Sequence, residues 1–385
     1  MARLGDVIKI KPSTVSLKGE RIWLLNLDMV EQQTGRVFEH NFVNVEDLDG
    51  SIVQFDEDAV LYSKLRPNLN KVVLPDMAGF ATSEMLPLMP DTAVLTREYL
   101  AYFLRSDSFV TWAVSKTAGA KMPRLGSKEL LSKEIPLPTL GEQFSIAQQF
   151  VHVDTLISLR KQQLAKLDEL VKSRFIELFG DPLTNPMGWD RVNISEVIGG
   201  KVSNGFFAKR DDYCDDGNVK VLGVAHVVNR MYSSTEDLPT TNGTETDVAK
   251  YGVKYGDMLF CRSSLVAAGI GKASIVPKNT PHNVLFECHV IRLPLDLNKC
   301  VPEFMQVLST TDYFRNQVIA QSKTATMTTI GQDGILKTGI ILPPLEMQKM
   351  FLAFVEQTDK SKLAVQQSID QLETLKKSLM QKYFG

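Results

Sequence analysis

The sequence predicts an α+β fold written twice: two α+β domains in tandem, each followed by a long helix, with the two helices pairing with each other. Three observations carry this expectation. First, "LPTLGEQ" (137–143) opens a stretch that closes on "ELFG" (177–180), and "LPPLEMQ" (342–348) opens one that closes on "KYFG" (382–385). At an offset of 205 residues Leu140 meets Leu345, Asp154 meets Asp359, Gln162 meets Gln367 and Leu170 meets Leu375, without a gap. Upstream, "AKMPRLGSKELLSKEIPLP" (120–138) lies against "ATMTTIGQDGILKTGIILP" (325–343), and "EYLAYFLRSDSF" (98–109) against "EFMQVLSTTDYF" (303–314). Such a period is too long for a solenoid, so each unit is a whole domain with an appendage.

Second, each appendage reads as a helix. Residues 151–179 hold no Pro or Gly, and apolar residues recur at Leu156, Leu164, Leu167, Val171, Phe175 and Leu178. The second copy places Val365, Ile369, Leu372, Leu375, Leu379 and Tyr383 likewise. Steps of three and four make one apolar stripe. A helix laid on its own domain carries such a stripe too; two copies in one chain favour mutual pairing. The run "GDPLTNPMGW" (180–189) ends the first helix and opens the next domain.

Third, the parts before the helices hold short strand-like runs between turn residues. They are 21–27, 51–55, 59–65 and 70–75 in the first unit and 219–228, 257–262 and 272–277 in the second, with amphipathic helices near 96–117 and 302–320. The expected boundaries are 1–140 and 181–345 for the two domains, and 141–180 and 346–385 for the helices.

Composition narrows the class. A chain of 385 residues is long for one core. Its 44% hydrophobic and 23% charged content is ordinary for a soluble protein. No run of eighteen apolar residues occurs, and the opening "MARLGDVIKIKPS" lacks a signal peptide's apolar stretch, so a cytoplasmic protein is expected. Cys214, Cys261, Cys288 and Cys300 form no C-x-x-C pair and read as reduced thiols. A net charge of −2 leaves room for a local basic face.

Taken together, "LPTLGEQ" and "LPPLEMQ" leading into long helices, "LFGDPLTNPMGW", "GDMLFCRSSLVAAGIGKASIV" (256–276) and "AVLYSKLRPNLNKVVLP" (59–75) resemble the specificity subunit of type I restriction–modification systems. The resemblance spans essentially the whole chain. It implies two target-recognition domains, each reading half of a split double-stranded DNA site, held apart by an antiparallel coiled coil. It further implies docking of two methyltransferase (modification) subunits, and through them the restriction subunits, with no membrane partner. This chain would bind no cofactor; S-adenosylmethionine, ATP and Mg would belong to those partners.

The residues agree by omission. "LPPL" (342–345) has Leu where an adenine methyltransferase needs a polar residue before its prolines. "AAGIGKAS" (267–274) lacks the first Gly of a phosphate loop and carries Ala273 where Ser or Thr would hold magnesium, so it reads as a turn between strands. No His or Cys spacing suits a metal. A non-catalytic chain is expected.

DNA reading needs cations for phosphates and planar or amide groups for base edges. The first domain offers Lys64, Arg66, Asn68 and Lys71 on a loop after a strand, and Lys121 with Arg124 in "KMPR". The second offers Lys209 and Arg210, then Arg262, Ser263 and Lys272, and the hydroxyls of Thr328 and Thr329 where "TMTT" replaces "KMPR". Each stretch also suits a solvated turn or, for 326–329, the entry to a helix. The expected helix-pairing and docking residues are Leu164, Leu167, Val171, Phe175, Ile369, Leu372, Leu375 and Leu379. Leu164, Phe175, Leu372 and Met380 are expected to need a partner's cover. A chain serving a fused methylase–nuclease, an enzyme acting alone and a coiled-coil scaffold without DNA are the competing readings.

Overall fold

The computed structural model describes residues 1–14, 21–119 and 121–385. Two long helices, Leu140–Phe179 and Leu345–Phe384, dominate it. The first starts where the sequence motif says it must. Thr139 and Glu142 form a reciprocal cap, with Thr139 N–H donating to the Glu142 carboxylate at 2.9 Å and Glu142 N–H to Thr139 Oγ1 at 3.4 Å. It ends at Gly180, whose φ of 74° lets its N–H reach back to the Ile176 carbonyl at 2.8 Å.

The chain divides into two compact units, and the division cuts both helices. One unit is residues 1–162 with 365–385; the other is 163–364. Each helix therefore gives its first half to the unit of its own repeat and its last half to the other. The packing repeats at the offset of 205. In the first unit Phe384 meets Tyr99 edge-on at 5.2 Å and Phe150 in a stack at 5.9 Å. In the second unit Phe179, the counterpart of Phe384, meets Phe304, the counterpart of Tyr99, at 4.9 Å. All these rings are buried; burying each is worth roughly 1.5–3 kcal/mol.

Among the described residues, the first unit holds two four-stranded sheets. One runs in the order Ile8–Ile10, Met85–Pro90, Val60–Ser63, Val72–Val73, all antiparallel. The other runs Phe42–Asn44, Arg21–Leu25, Gly79–Thr82, Ile52–Phe55. The second unit repeats the first of these with Ser203–Asn204, Val290–Pro294, Asp257–Cys261 and Ala273–Ile275. It adds a three-stranded sheet of Thr240–Thr241, Val219–Leu222 and Val284–Phe286, and a small one of Ser263–Ser264, Thr328–Thr329 and Lys323–Thr324. Helices Arg97–Arg105 and Asp107–Ser115 in the first unit match Pro302–Ser309 and Asp312–Ala320 in the second.

The helices pair antiparallel within each unit. In the first, Lys376 Nζ donates to Asp154 at 2.6 Å, the Tyr383 hydroxyl to Gln149 at 3.2 Å, and Lys161 lies 3.7 Å from Glu373. In the second, Lys362 lies 2.7 Å from Asp168, and Phe175 meets Phe351 edge-on. Val171, Phe175 and Ile369 are buried, while Leu164, Leu167, Leu372 and Leu379 are half-buried. Leu375 is a correction: it faces outward, because the seam steps from Leu372 to Lys376 and puts a charge where an apolar residue was expected. Leu156 likewise yields its place to the buried Ile157. Phe175 and Met380 need no partner's cover, since each completes a core of this chain.

Candidate nucleic-acid interface

In each unit the sheet shared by both repeats hands the chain to a loop at the same point. The strand Val60–Ser63 runs into Lys64 and Arg66, and the strand Asp257–Cys261 runs into Arg262 and Ser264. A second segment, far along the chain, pairs with each. Leu65 bridges to Arg124, Arg66 N–H donates to the Pro123 carbonyl at 2.8 Å, and Leu125 N–H to the Lys64 carbonyl at 2.9 Å. In the second unit Ser263 pairs with Thr329 and Ser264 with Thr328, and Ile330 N–H donates to the Arg262 carbonyl at 3.0 Å. Arg262 thus occupies the place of Lys64, and Thr329 that of Arg124. Two stretches per domain that looked separate in sequence become one paired surface.

That surface is acid-free in sequence. Residues 62–73 and 115–128 carry Lys64, Arg66, Lys71, Lys116, Lys121, Arg124 and Lys128 without an Asp or Glu; 261–272 and 319–331 likewise hold basic residues only. A chain of net charge −2 therefore concentrates cations here, as phosphate neutralisation requires.

The individual side chains differ in freedom. Arg66 is exposed, in the left-handed region at φ 49°, pinned there by its bond to Pro123. Asn68 and Lys121 are also exposed. Lys71 turns inward: its ammonium donates to the Leu27 carbonyl at 2.5 Å, and burial pulls its pKa down. Arg124 is clamped by both oxygens of Glu84 at 3.0–3.1 Å, which raises its pKa further. Glu84 lies forty residues away in the chain, too far for residue spacing to reveal the pair. Lys272 donates to Asn229 at 2.6 Å, and Arg262 to the Cys288 carbonyl at 3.2 Å. Thr328 is buried with its hydroxyl 3.0 Å from that of Thr324, leaving Thr329 as the exposed member. Ser263 sits 3.3 Å from His289 Nδ1.

Lys209 and Arg210 are exposed on a turn that brackets Asp211, Asp212, Asp215 and Asp216. Their local field is acidic, unlike that of the paired loops. Sequence reasoning missed Lys323, which the strand Lys323–Thr324 sets in register with Thr329 and Ser263. The acid-free run around it was the available signal. Among the described residues no three His, Cys, Asp or Glu are grouped to hold a metal, and no helix is long and apolar enough to cross a membrane.

The chain is a duplicated α+β protein with one basic, strand-paired loop surface per repeat. The family model for the type I restriction modification DNA specificity domain matches residues 2–169 and again 186–374. The chain belongs to that family and carries its domain twice. It is 25% identical over 320 residues to the MjaVIII specificity subunit of Methanocaldococcus jannaschii, covering 78% of this chain and 72% of that one. It is 26% identical over 315 residues to the StySPI specificity subunit of Salmonella potsdam, covering 75% of this chain and 65% of that one. In fold it resembles a chain solved in work on complex assembly and conformational transition of the type I R-M system, with a TM-score of 0.60 and 17% identity. It also resembles the type I S subunit of M. genitalium, with a TM-score of 0.56 and 12% identity. The alignments cover all of this chain and 96% and 95% of those chains.

Proposed function

We propose that this chain reads a bipartite DNA target for a type I restriction–modification complex, one half-site per unit, and itself catalyses nothing. The observation that carries the reading is the pair of equivalent loop surfaces whose paired segments carry basic residues and no Asp or Glu, Lys64–Arg66 with Lys121–Arg124 and Arg262–Ser264 with Lys323–Thr329. Cations at the rim hold phosphates, and the residues at the tips differ between units as two different half-sites demand. Two methyltransferase subunits dock on the helices, and restriction subunits join through them. Leu170 and Leu375 stand at equivalent repeat positions, each 47% exposed, and supply matching apolar contacts for two identical partners. Methyl donor, ATP and Mg belong to those partners.

Methylation mapping in cells that carry this chain and its modification subunit tests the reading. The expected result is a two-part motif, of which replacements at 64–66 alter one half and replacements at 262–264 the other. One continuous motif, or methylation indifferent to this chain, overturns it. Native mass measurement should find two modification subunits per copy; a saturated one-to-one complex refutes the docking.

A further inference from the structure

Leu265 is 82% exposed and Val266 63%, and Leu265 is the most exposed large apolar side chain among the described residues. Leaving such a residue in water forgoes the usual gain from burial. The loop that presents them is firmly built. Ser263 and Ser264 are laddered to Thr329 and Thr328, and Val266 N–H donates to Ser264 Oγ at 3.3 Å. Ala267–Gly269 close a 3-10 turn, Arg315 Nη2 holds the Ala268 carbonyl at 3.1 Å, and Gly271 N–H returns to the Cys261 carbonyl at 2.8 Å. A Cβ on Gly269 would come within 2.2 Å of Ser264 Oγ, so a larger residue there would displace the hydroxyl that accepts from Val266 N–H.

The flanks of this fingertip are polar and cationic: Arg262, Ser264, Lys272, Thr329 and Lys323. An apolar tip with such a rim matches a duplex groove, whose edge is polar and whose floor offers one apolar group, the C5 methyl of thymine. Val266 is extended, at φ −124° and ψ 139°, so its side chain and that of Leu265 leave the backbone in different directions. Two adjacent exposed apolar side chains thus offer contacts to methyl groups on a groove floor. The first unit differs at the same place: its tip is Arg66–Pro67–Asn68, with Arg66 and Asn68 exposed and Pro67 buried.

We propose that Leu265 and Val266 read thymine methyl groups in the major groove of the half-site bound by the second unit. This rests on the DNA-reading function proposed above. The test uses the full chain assembled with its modification subunits, and duplexes carrying the mapped target. Deoxyuridine replaces thymidine one position at a time, which removes the methyl group and leaves pairing intact.

At one or more positions in the second half, binding should weaken about fourfold, the worth of one buried methyl. The double variant Leu265→Ala, Val266→Ala should bind the thymine duplex as weakly as the parent binds the uracil one and lose its sensitivity to the replacement. Leu265→Met, which keeps the apolar contact, should retain it. A second half-site without an A·T pair, uniform tolerance of uracil by a parent that binds well, or undiminished sensitivity in the double variant each overturns the proposal. A parent that binds no duplex overturns the DNA-reading function as well.

Discussion

Gln143 and Gln348, 205 residues apart, make the same three hydrogen bonds in the two units. Gln143 accepts from Thr96 N–H at 2.9 Å and donates to the carbonyls of Val94 and Pro138 at 2.8 and 2.9 Å. Gln348 accepts from Val301 N–H at 2.8 Å and donates to Lys299 and Pro343 at 3.2 and 2.8 Å. Both amides are fully buried. The last letter of "LPTLGEQ" and "LPPLEMQ" is thus a clamp that ties the start of each long helix to the chain entering the preceding helix pair.

Removing either clamp takes the partner from one N–H and two carbonyls, each costing about 1–3 kcal/mol if left dry and unpaired. Gln143→Ala and Gln348→Ala should each lower unfolding stability by about 3 kcal/mol, measured in urea. Gln143→Glu should also destabilise, since a carboxylate cannot donate to Val94 and Pro138. A loss under 0.5 kcal/mol in the alanine variants would mean the clamp is incidental.

The helix tails make a sharper claim about location. Phe384 is packed among Tyr99, Phe103 and Phe150, and its carbonyl accepts from Ser108 Oγ at 2.5 Å. Phe384→Ala should cost about 3–5 kcal/mol and open the first unit, although residue 384 belongs to the second repeat. Phe179→Ala should do the same to the second unit. Hydrogen exchange resolves the two: fast exchange confined to the mutated residue's own repeat contradicts the observed packing.

Much of this architecture was legible because duplication and apolar period are properties of the chain alone. The helices and part of their apolar stripe follow from spacing: Val171, Phe175, Val365 and Ile369 are buried, whereas the buried Phe150, Ile157, Phe179 and Phe351 lie outside the stripe read from sequence. What sequence could not show is partnership at long range. Leu375 was placed on the seam by a step of three, yet the structure takes a step of four and sets Lys376 against Asp154. Arg124 and Lys71 read as free cations until Glu84, from a hairpin turn, and the Leu27 carbonyl, from a short 3-10 helix, reach them. In the candidate site, residue types were legible, whereas the strand pairing that joins 262–264 to 323–329 was not, since its runs of two residues are too short to carry a pattern.

Glu303 gives a pH prediction. Its carboxylate is fully buried and accepts from the hydroxyls of Tyr232 and Tyr255 at 3.2 and 3.1 Å, and burial pushes its pKa up. The folded state then holds this proton more tightly than the unfolded chain does. Its contribution to stability is full below the ordinary glutamate value of about 4.3 and is lost as pH rises through the raised value. Glu303→Gln keeps the two acceptor contacts and removes the titration, so it should flatten the fall in melting temperature above that value. The flattening is partial, because burial pushes Asp257 and Asp359 the same way. An unchanged profile would show that Glu303 does not titrate in this range.

The two loop cations of the first unit should separate by mechanism. Arg66 is exposed, and its side chain makes no hydrogen bond among the described residues, whereas Lys71 is spent on the Leu27 carbonyl. If Arg66 holds a phosphate, Arg66→Ala should leave the melting temperature unchanged, weaken DNA binding and reduce the slope of log K against log salt by about one. Lys71→Ala should do the reverse: lower stability by about 1.5 kcal/mol through the lost charge-assisted bond, with the salt slope of the surviving folded protein unchanged. Binding titrations from 50 to 200 mM salt, a range over which several phosphate contacts are worth orders of magnitude in affinity, give both slopes. Equal slope changes in the two variants would place Lys71 on the DNA as well. No change in either would move the first unit's interface away from this loop, to the Lys121 side of the paired segment.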